Sequence, residues 1–329
     1  MAKRIFFEKP APIPESRFAA IDIGSNAVRL LLASVFEYGE KPTFKKMSLT
    51  RIPLRLGSDA FKLHRISDQK AEELVGVMGG FRRLIEAFRP VAFMACATSA
   101  MRGAENGPEI RQRILEDAGI DVNIIDGRKE ARILFENRSA EQFGGHAAYL
   151  YVDVGGGSTE LSLFSRGKNL SSASFDIGTI RLMQGQVTSG HWNAMKKWLK
   201  SSIKSVPAAA AIGSGGNINK IFRMAGLKNG SPISPQKIGK VQRYLKNYLY
   251  AERVTVLNLR PDRADVIIPA SVIYLRVLKW SGINALYVPV VGLADGIVRM
   301  LYEWHLAKGD SRNDAPDTPT QVPLEDIGI

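Results

Sequence analysis
The chain has 329 residues, 45 Lys and Arg against 32 Asp and Glu, and a net charge of +13. That length suits about two domains, and the excess of positive charge favours an anionic partner. One cysteine, Cys96, and four histidines, none in a nucleophile motif, exclude an internal disulfide, a Cys/His zinc cluster, a Cys–His nucleophile pair and a Ser-His-Asp arrangement.

Residues 1–17 hold three prolines and mixed charge and read as a flexible N-terminal arm, with no apolar run long enough for a signal peptide. No apolar stretch approaches the ~20 residues of a membrane span. A cytoplasmic, non-membrane protein is the expectation. Phe18–Ile23 and Val28–Phe36 read as a hairpin around the turn Gly24-Ser25-Asn26. Residues 67–88 carry a helical apolar face, and 91–98 a buried strand ending in Thr98-Ser99-Ala100-Met101-Arg102. Asn106, Pro108 and Gly119 frame a helix, 122–125 is a short strand, and 130–143 a further helix.

The pattern then restarts. Tyr149–Asp153 runs into Gly155-Gly156-Gly157-Ser158-Thr159-Glu160, and 161–164 is the return strand. Asp22 and Asp153 end equivalent apolar runs about one domain apart, which suggests two like-folded lobes. Ala208–Ile212 leads into a third turn, Gly213-Ser214-Gly215-Gly216. A polar helix through 238–248, an apolar helix over 264–278, a strand over 285–291 and a last helix follow. Residues 308–329, rich in Asp, Pro, Thr and Gly, read as a disordered tail.

Glycine turns at strand ends let backbone N–H groups approach an anion, and Ser or Thr adds donors. One such turn is ordinary; three, two with Asp and Ser, make a phosphate clamp. There is no Walker-type loop or dinucleotide fingerprint. Carboxylates beside phosphate need a cation between them, which for Asp22, Asp153 and Glu160 points to Mg²⁺. Ser99 and Arg102 at a strand's carboxyl end suit an oxyanion. Glu130, between the two repeats, could orient and deprotonate a water, or simply sit in a helix's first turn. The cations lie along the whole chain, and no stacking aromatics or known module supports nucleic-acid binding.

Together these motifs resemble the exopolyphosphatase / guanosine pentaphosphate phosphatase (Ppx/GppA) family, in a short two-domain form. The resemblance runs in order through Ala20–Asn26, Ala97–Arg102, Gly127–Arg132, Asp153–Glu160, Gly178–Arg181, Gly213–Gly216, Arg263–Asp265 and Gly292–Gly296. It implies an α/β fold of two actin-like ATPase (ribonuclease H-like) lobes with a cleft between them. Lobe I would span 18–136, with the helix about 296–306 packing back on it, and lobe II 137–295. It implies a phosphoric anhydride hydrolase that removes the terminal phosphate of inorganic polyphosphate. Guanosine pentaphosphate hydrolysis, or a non-catalytic sensor of either anion, is the alternative, and a homodimer is the implied assembly. Glu130 matches the catalytic base, and Arg102, the other catalytic residue expected, falls where the family binds phosphate and would stabilise the transition state. Asp153 and Glu160 match the Mg²⁺-associated acids, and Asp22 is the third metal candidate from its place beside the first turn. Gly24, Ser25, Asn26, Ser99, Gly155, Gly156, Gly157, Ser158, Thr159 and Gly215 form the expected phosphate site.

Overall fold
The computed structural model describes residues 14–38, 40–136, 146, 148–166, 168–206, 210–289, 291–309 and 318–328. Two sheets form the framework. In the first, β1 (Glu15–Ile23), β2 (Val28–Phe36) and β3 (Thr43–Ile52) make an antiparallel meander, and β4 (Ala92–Ala97) lies parallel to β1. The far edge of β4 is shared by β5 (Val122–Ile124) and β11 (Thr320–Gln321). The second sheet repeats this order with β6 (Ala148–Val154), β7 (Thr159–Ser165), β8 (Lys168–Phe175), β9 (Ala210–Ser214) and β10 (Leu286–Tyr287).

The central strands are apolar almost throughout because helices cover both faces of each sheet. In β1 and β2, Ala19, Ile21, Ile23, Val28 and Leu30 pack on one side against α2 (Asp68–Phe88) and α4 (Gly107–Ala118). Phe18, Ala20, Leu31 and Val35 face the other way, against α5 (Gly127–Phe135) and α13 (Leu293–Ala307). In between come two short helices, α1 (Gly57–Leu63) and α3 (Ser99–Gly103), and then, after β8, α6 (Thr179–Met183). The second sheet carries α7 (Ser189–Ser205), α8 (Gly216–Met224), α9 (Pro235–Lys246) and α12 (Ile267–Ser281) over Leu150, Val152, Val154 and Leu161. Two short helices, α10 (Tyr250–Thr255) and α11 (Pro261–Ala264), precede α12.

Helix α5 belongs to both halves. Ile133 and Leu134 enter the first sheet's core, while Phe135 stacks on Phe164 of the second sheet at a centroid distance of 3.8 Å. Helix α13 crosses α5 so closely that a Cβ on Gly296 would lie 2.1 Å from the Ile133 carbonyl oxygen. The position that carries Glu130 is therefore gripped from both sheets.

Several elements differ from the sequence reading. β3 has no apolar alternation because it is a mostly exposed edge strand, where lysines such as Lys45 discourage further pairing. The helix expected over 130–143 starts earlier, at Gly127, because Asp126 caps it by accepting from the Arg128 and Lys129 N–H groups; 137–143 lie outside the described residues. The apolar helix expected from 264 begins at Ile267. Pro269 falls in its first turn, where no N–H donor is needed, and the preceding α11 starts at Pro261. The strand expected over 285–291 is only Leu286–Tyr287. β1 takes residues 15–17 from the expected arm; 1–13 lie outside the described residues. Among the described residues no helix is long and apolar enough to cross a membrane.

The expected disordered tail is corrected for 318–328. Val322 and Leu324 are buried, and the Val322 N–H donates to the Phe93 carbonyl at 2.9 Å. Gln321 accepts from the Asp121 N–H at 3.1 Å and donates to the Asp121 carbonyl. Leu324→Ala should therefore cost about 2 kcal/mol or more of unfolding free energy in a urea titration. A change below about 0.5 kcal/mol, the scale of neutral surface substitutions, would show that the segment contributes no packing.

Candidate active site
The carboxyl ends of β1 and β6 carry the two hairpin turns, closed in the same way. The Gly24 N–H donates to the Ala27 carbonyl at 3.1 Å, and the Gly155 N–H to the Ser158 carbonyl at 2.9 Å. The turns abut: a Cβ on Gly156 would lie 2.9 Å from the Ser25 Cβ. Beside them the Ser25 and Ser99 hydroxyls share a buried hydrogen bond of 2.8 Å.

A cleft of about 510 Å³ opens over these turns. Asp22, Gly24, Ser25, Asn26, Ser99, Glu130, Asp153, Gly155, Gly156, Ser158 and Gly215 line it. Four other expected residues, Gly157, Thr159, Glu160 and Arg102, stand back from that lining. Gly157 packs against the Phe61 ring, Thr159 donates to the Ile177 carbonyl, and Glu160 is buried behind the turn. Arg102 donates from Nη1 to the Ile125 carbonyl at 2.6 Å.

Glu130, Asp153 and Glu160 converge, each offering a carboxylate oxygen within 4.8 Å of the others. Glu130 sits in the first turn of α5 yet is only 8% exposed, and its Oε2 has no hydrogen-bond partner. Helix-end stabilisation of a solvated carboxylate does not describe such a group. Glu160 Oε1 accepts from Ser158 at 2.6 Å and from Ser174 at 2.9 Å. Burial, then the neighbouring charges of Glu160 and Asp153, hold the Glu130 carboxyl well above the ordinary range, with Arg102 opposing. Burial raises Asp153 to about 6, against the Ser214 hydrogen bond. Burial and then Asp153 raise Glu160 to about 7, against its two serine donors. Three acids so placed resist ionising together, and a hard cation is the group whose charge and oxygen preference match them.

Asp22 differs from this trio in having a cationic partner, Arg29 Nη1 on its Oδ2 at 2.7 Å, though its charge still raises Glu130 and Asp153. The fold explains the difference. Arg29 pairs across from Asp22, as Glu160 pairs across from Asp153. Equivalent positions thus carry a cation in one hairpin and an acid in the other.

The basic wall of the cleft was not evident from sequence. Lys46, Arg51, Lys220, Arg223, Arg260 and Arg263 line it, though they are scattered along the chain. Arg263, whose guanidinium would meet a Cβ on Gly216 at 2.7 Å, is brought down to about 10, mainly by burial and then by Arg51. The available signal was Arg263 within the motif Arg263-Ala264-Asp265. The two halves also join here: Asn26 Nδ2 donates to the Asp262 carbonyl at 2.9 Å, and Arg55 pairs with Asp265 at 2.6 Å.

The chain is similar to known proteins in sequence and fold. The profile of the Ppx/GppA phosphatase family matches residues 34–305. Exopolyphosphatase 1 of Mycobacterium bovis is 23% identical over 305 residues, covering 86% of this chain and 87% of that protein. A bifunctional 3-dehydroquinate synthase/phosphatase of Fusobacterium nucleatum is 25% identical over 290 residues, 80% of this chain but only 43% of that longer protein. The Aquifex aeolicus Ppx/GppA family member superposes with a TM-score of 0.71 at 24% identity, over 91% of this chain and 100% of that one. An exopolyphosphatase from Cytophaga hutchinsonii gives 0.75 at 22%, over the same shares. The chain belongs to the Ppx/GppA phosphatase family, among the phosphoric anhydride hydrolases, and has the two-lobed actin-like fold.

The raised carboxyls set the sign of a pH effect. The folded protein holds protons that the unfolded chain releases, so these groups' contribution to stability falls as pH climbs from about 4.5 through about 7. In chelator, Glu160→Gln should flatten this decline between about pH 5 and about pH 8, and Mg²⁺ should raise the wild-type Tm most at the upper end. An identical slope in the variant would contradict the assignment.

Proposed function
We propose that this member of the family releases the terminal phosphate of inorganic polyphosphate, using a water oriented and deprotonated by Glu130. The observation that carries the reading is the buried, half-unpartnered Glu130 carboxylate at the floor of a cationic cleft, facing Asp153 and Glu160. The names of the exopolyphosphatase relatives support polyphosphate as the substrate.

The terminal phosphoryl group would rest between the two hairpin turns. The backbone N–H groups there and the Ser25 and Ser99 hydroxyls suit its oxygens. Water attacks phosphorus, the bond to the bridging oxygen breaks, and the water's proton passes to the Glu130 carboxylate. Glu130 is held for this by its helix, which both sheets grip. Arg102, anchored on the Ile125 carbonyl, supplies positive charge that favours ionised Glu130 and Glu160. Mg²⁺ held by Asp153 and Glu160 would neutralise the substrate's oxygens and draw Glu130 toward its basic form. Arg29, Arg263 and their neighbours would hold the remaining negative charge.

Glu130→Gln should lower phosphate release from long-chain polyphosphate by about 10²–10⁴-fold, with the circular dichroism spectrum unchanged. Wild-type release should vanish in chelator and return with Mg²⁺. A variant within a few-fold of wild type would remove Glu130 from the role. A higher initial rate on guanosine pentaphosphate would reassign the substrate, and tight binding without release would make the protein a sensor.

A further inference from the structure
Across the first sheet, Asp22 pairs with Arg29 and Arg29 pairs with Arg51, one row over three strands. The same row in the second sheet reads Asp153, Glu160 and Ser174. Neighbouring strands lie about 4.8 Å apart, so the Arg51 backbone stands about 10 Å from that of Asp22. Each residue of the first row lines the cleft. The first row thus steps away from the phosphoryl site as two successive cations.

Arg51 is not a solvated arginine. Its side chain is 9% exposed, and Nη2 binds Asp262 Oδ2. Nε and Nη1 are buried with no acceptor. Burying guanidinium donors unpaired is costly, and natural sites rarely tolerate it without a ligand or water to complete them. Asp262 does not complete this one. Burial would raise its carboxyl, but the Arg51 hydrogen bond and the charges of Arg51, Arg263 and Arg260 hold it low. One carboxylate therefore faces three guanidinium groups, and the wall keeps a net positive charge.

We propose that Arg51 anchors the second anionic group of the substrate, the phosphate that follows the one released, and so selects a linear chain over isolated phosphate. This rests on the polyphosphate reading above. Oxygens of the retained chain would pair with the Arg51 guanidinium where it lines the cleft, with Asp262 holding Nη2 and fixing its direction.

The test uses the full chain in chelator, titrated calorimetrically with tripolyphosphate and with orthophosphate. Arg51→Gln should weaken tripolyphosphate binding by about 10-fold or more, the loss of a charge-assisted hydrogen bond, and orthophosphate by less than about 2-fold. Asp262→Asn frees the guanidinium and should bind tripolyphosphate at least as tightly as wild type. Unchanged tripolyphosphate affinity in Arg51→Gln would overturn the anchor. So would an equal loss in Asp262→Asn, since the pair would then be a brace between the sheets. If wild type releases no phosphate from polyphosphate while tripolyphosphate binding still depends on Arg51, the catalytic reading falls and the anchor stands.

Discussion
Three carboxylates forced together, two of them buried and the third half-buried at the cleft, are the constraint on which the rest of this structure depends. Glu130, Asp153 and Glu160 come from α5, β6 and β7, and their oxygens lie within 4.8 Å of one another. Mutual repulsion in a desolvated site is unfavourable unless protons or a cation neutralise it. The surroundings are built to hold the acids there anyway. Two serines fix Glu160, and α5 is clamped between both sheets, with Gly296 admitting α13 against the Ile133 carbonyl. The same helix that joins the two cores thus presents Glu130 to the cleft.

The two sheets share strand order and hairpin closure, yet their chemistry differs by position. Where the second sheet has Glu160 opposite Asp153, the first has Arg29 opposite Asp22. One hairpin therefore gathers negative charge, while in the other Asp22 is paired with Arg29 and the row continues outward as Arg51. A repeated backbone has been divided into an acidic wall and a basic wall. In the proposed reaction both signs of charge have a use, since a polyanion would be attracted by one wall while its phosphorus is opened to attack beside the other.

Much of this was legible in the sequence because the signals were local. Apolar runs ending in Asp and glycine marked β1 and β6. The buried strand before Ser99 and the polar positions of the two turns follow from composition alone. The parts that were hidden depend on tertiary placement. β3 is an exposed edge strand whose Lys and Ser residues conceal its periodicity, so Arg51 had no visible context. Val322 and Leu324 are two apolar residues in a polar segment, and only docking on β4 gives them a core. Asp22 resembled Asp153 in sequence, but its cross-strand partner is a cation, which a one-dimensional pattern does not display. Cleft arginines from 29 to 263 converge only once both sheets are assembled.

The most direct measurement is an anomalous difference map from a crystal soaked in Mn²⁺, an oxygen-preferring stand-in for Mg²⁺. A single strong peak among the Glu130, Asp153 and Glu160 carboxylates, lost in Glu160→Gln, is the expected result. A wild-type map with no peak there, or with its peak beside Asp22, would contradict the carboxylate trio as the cation site.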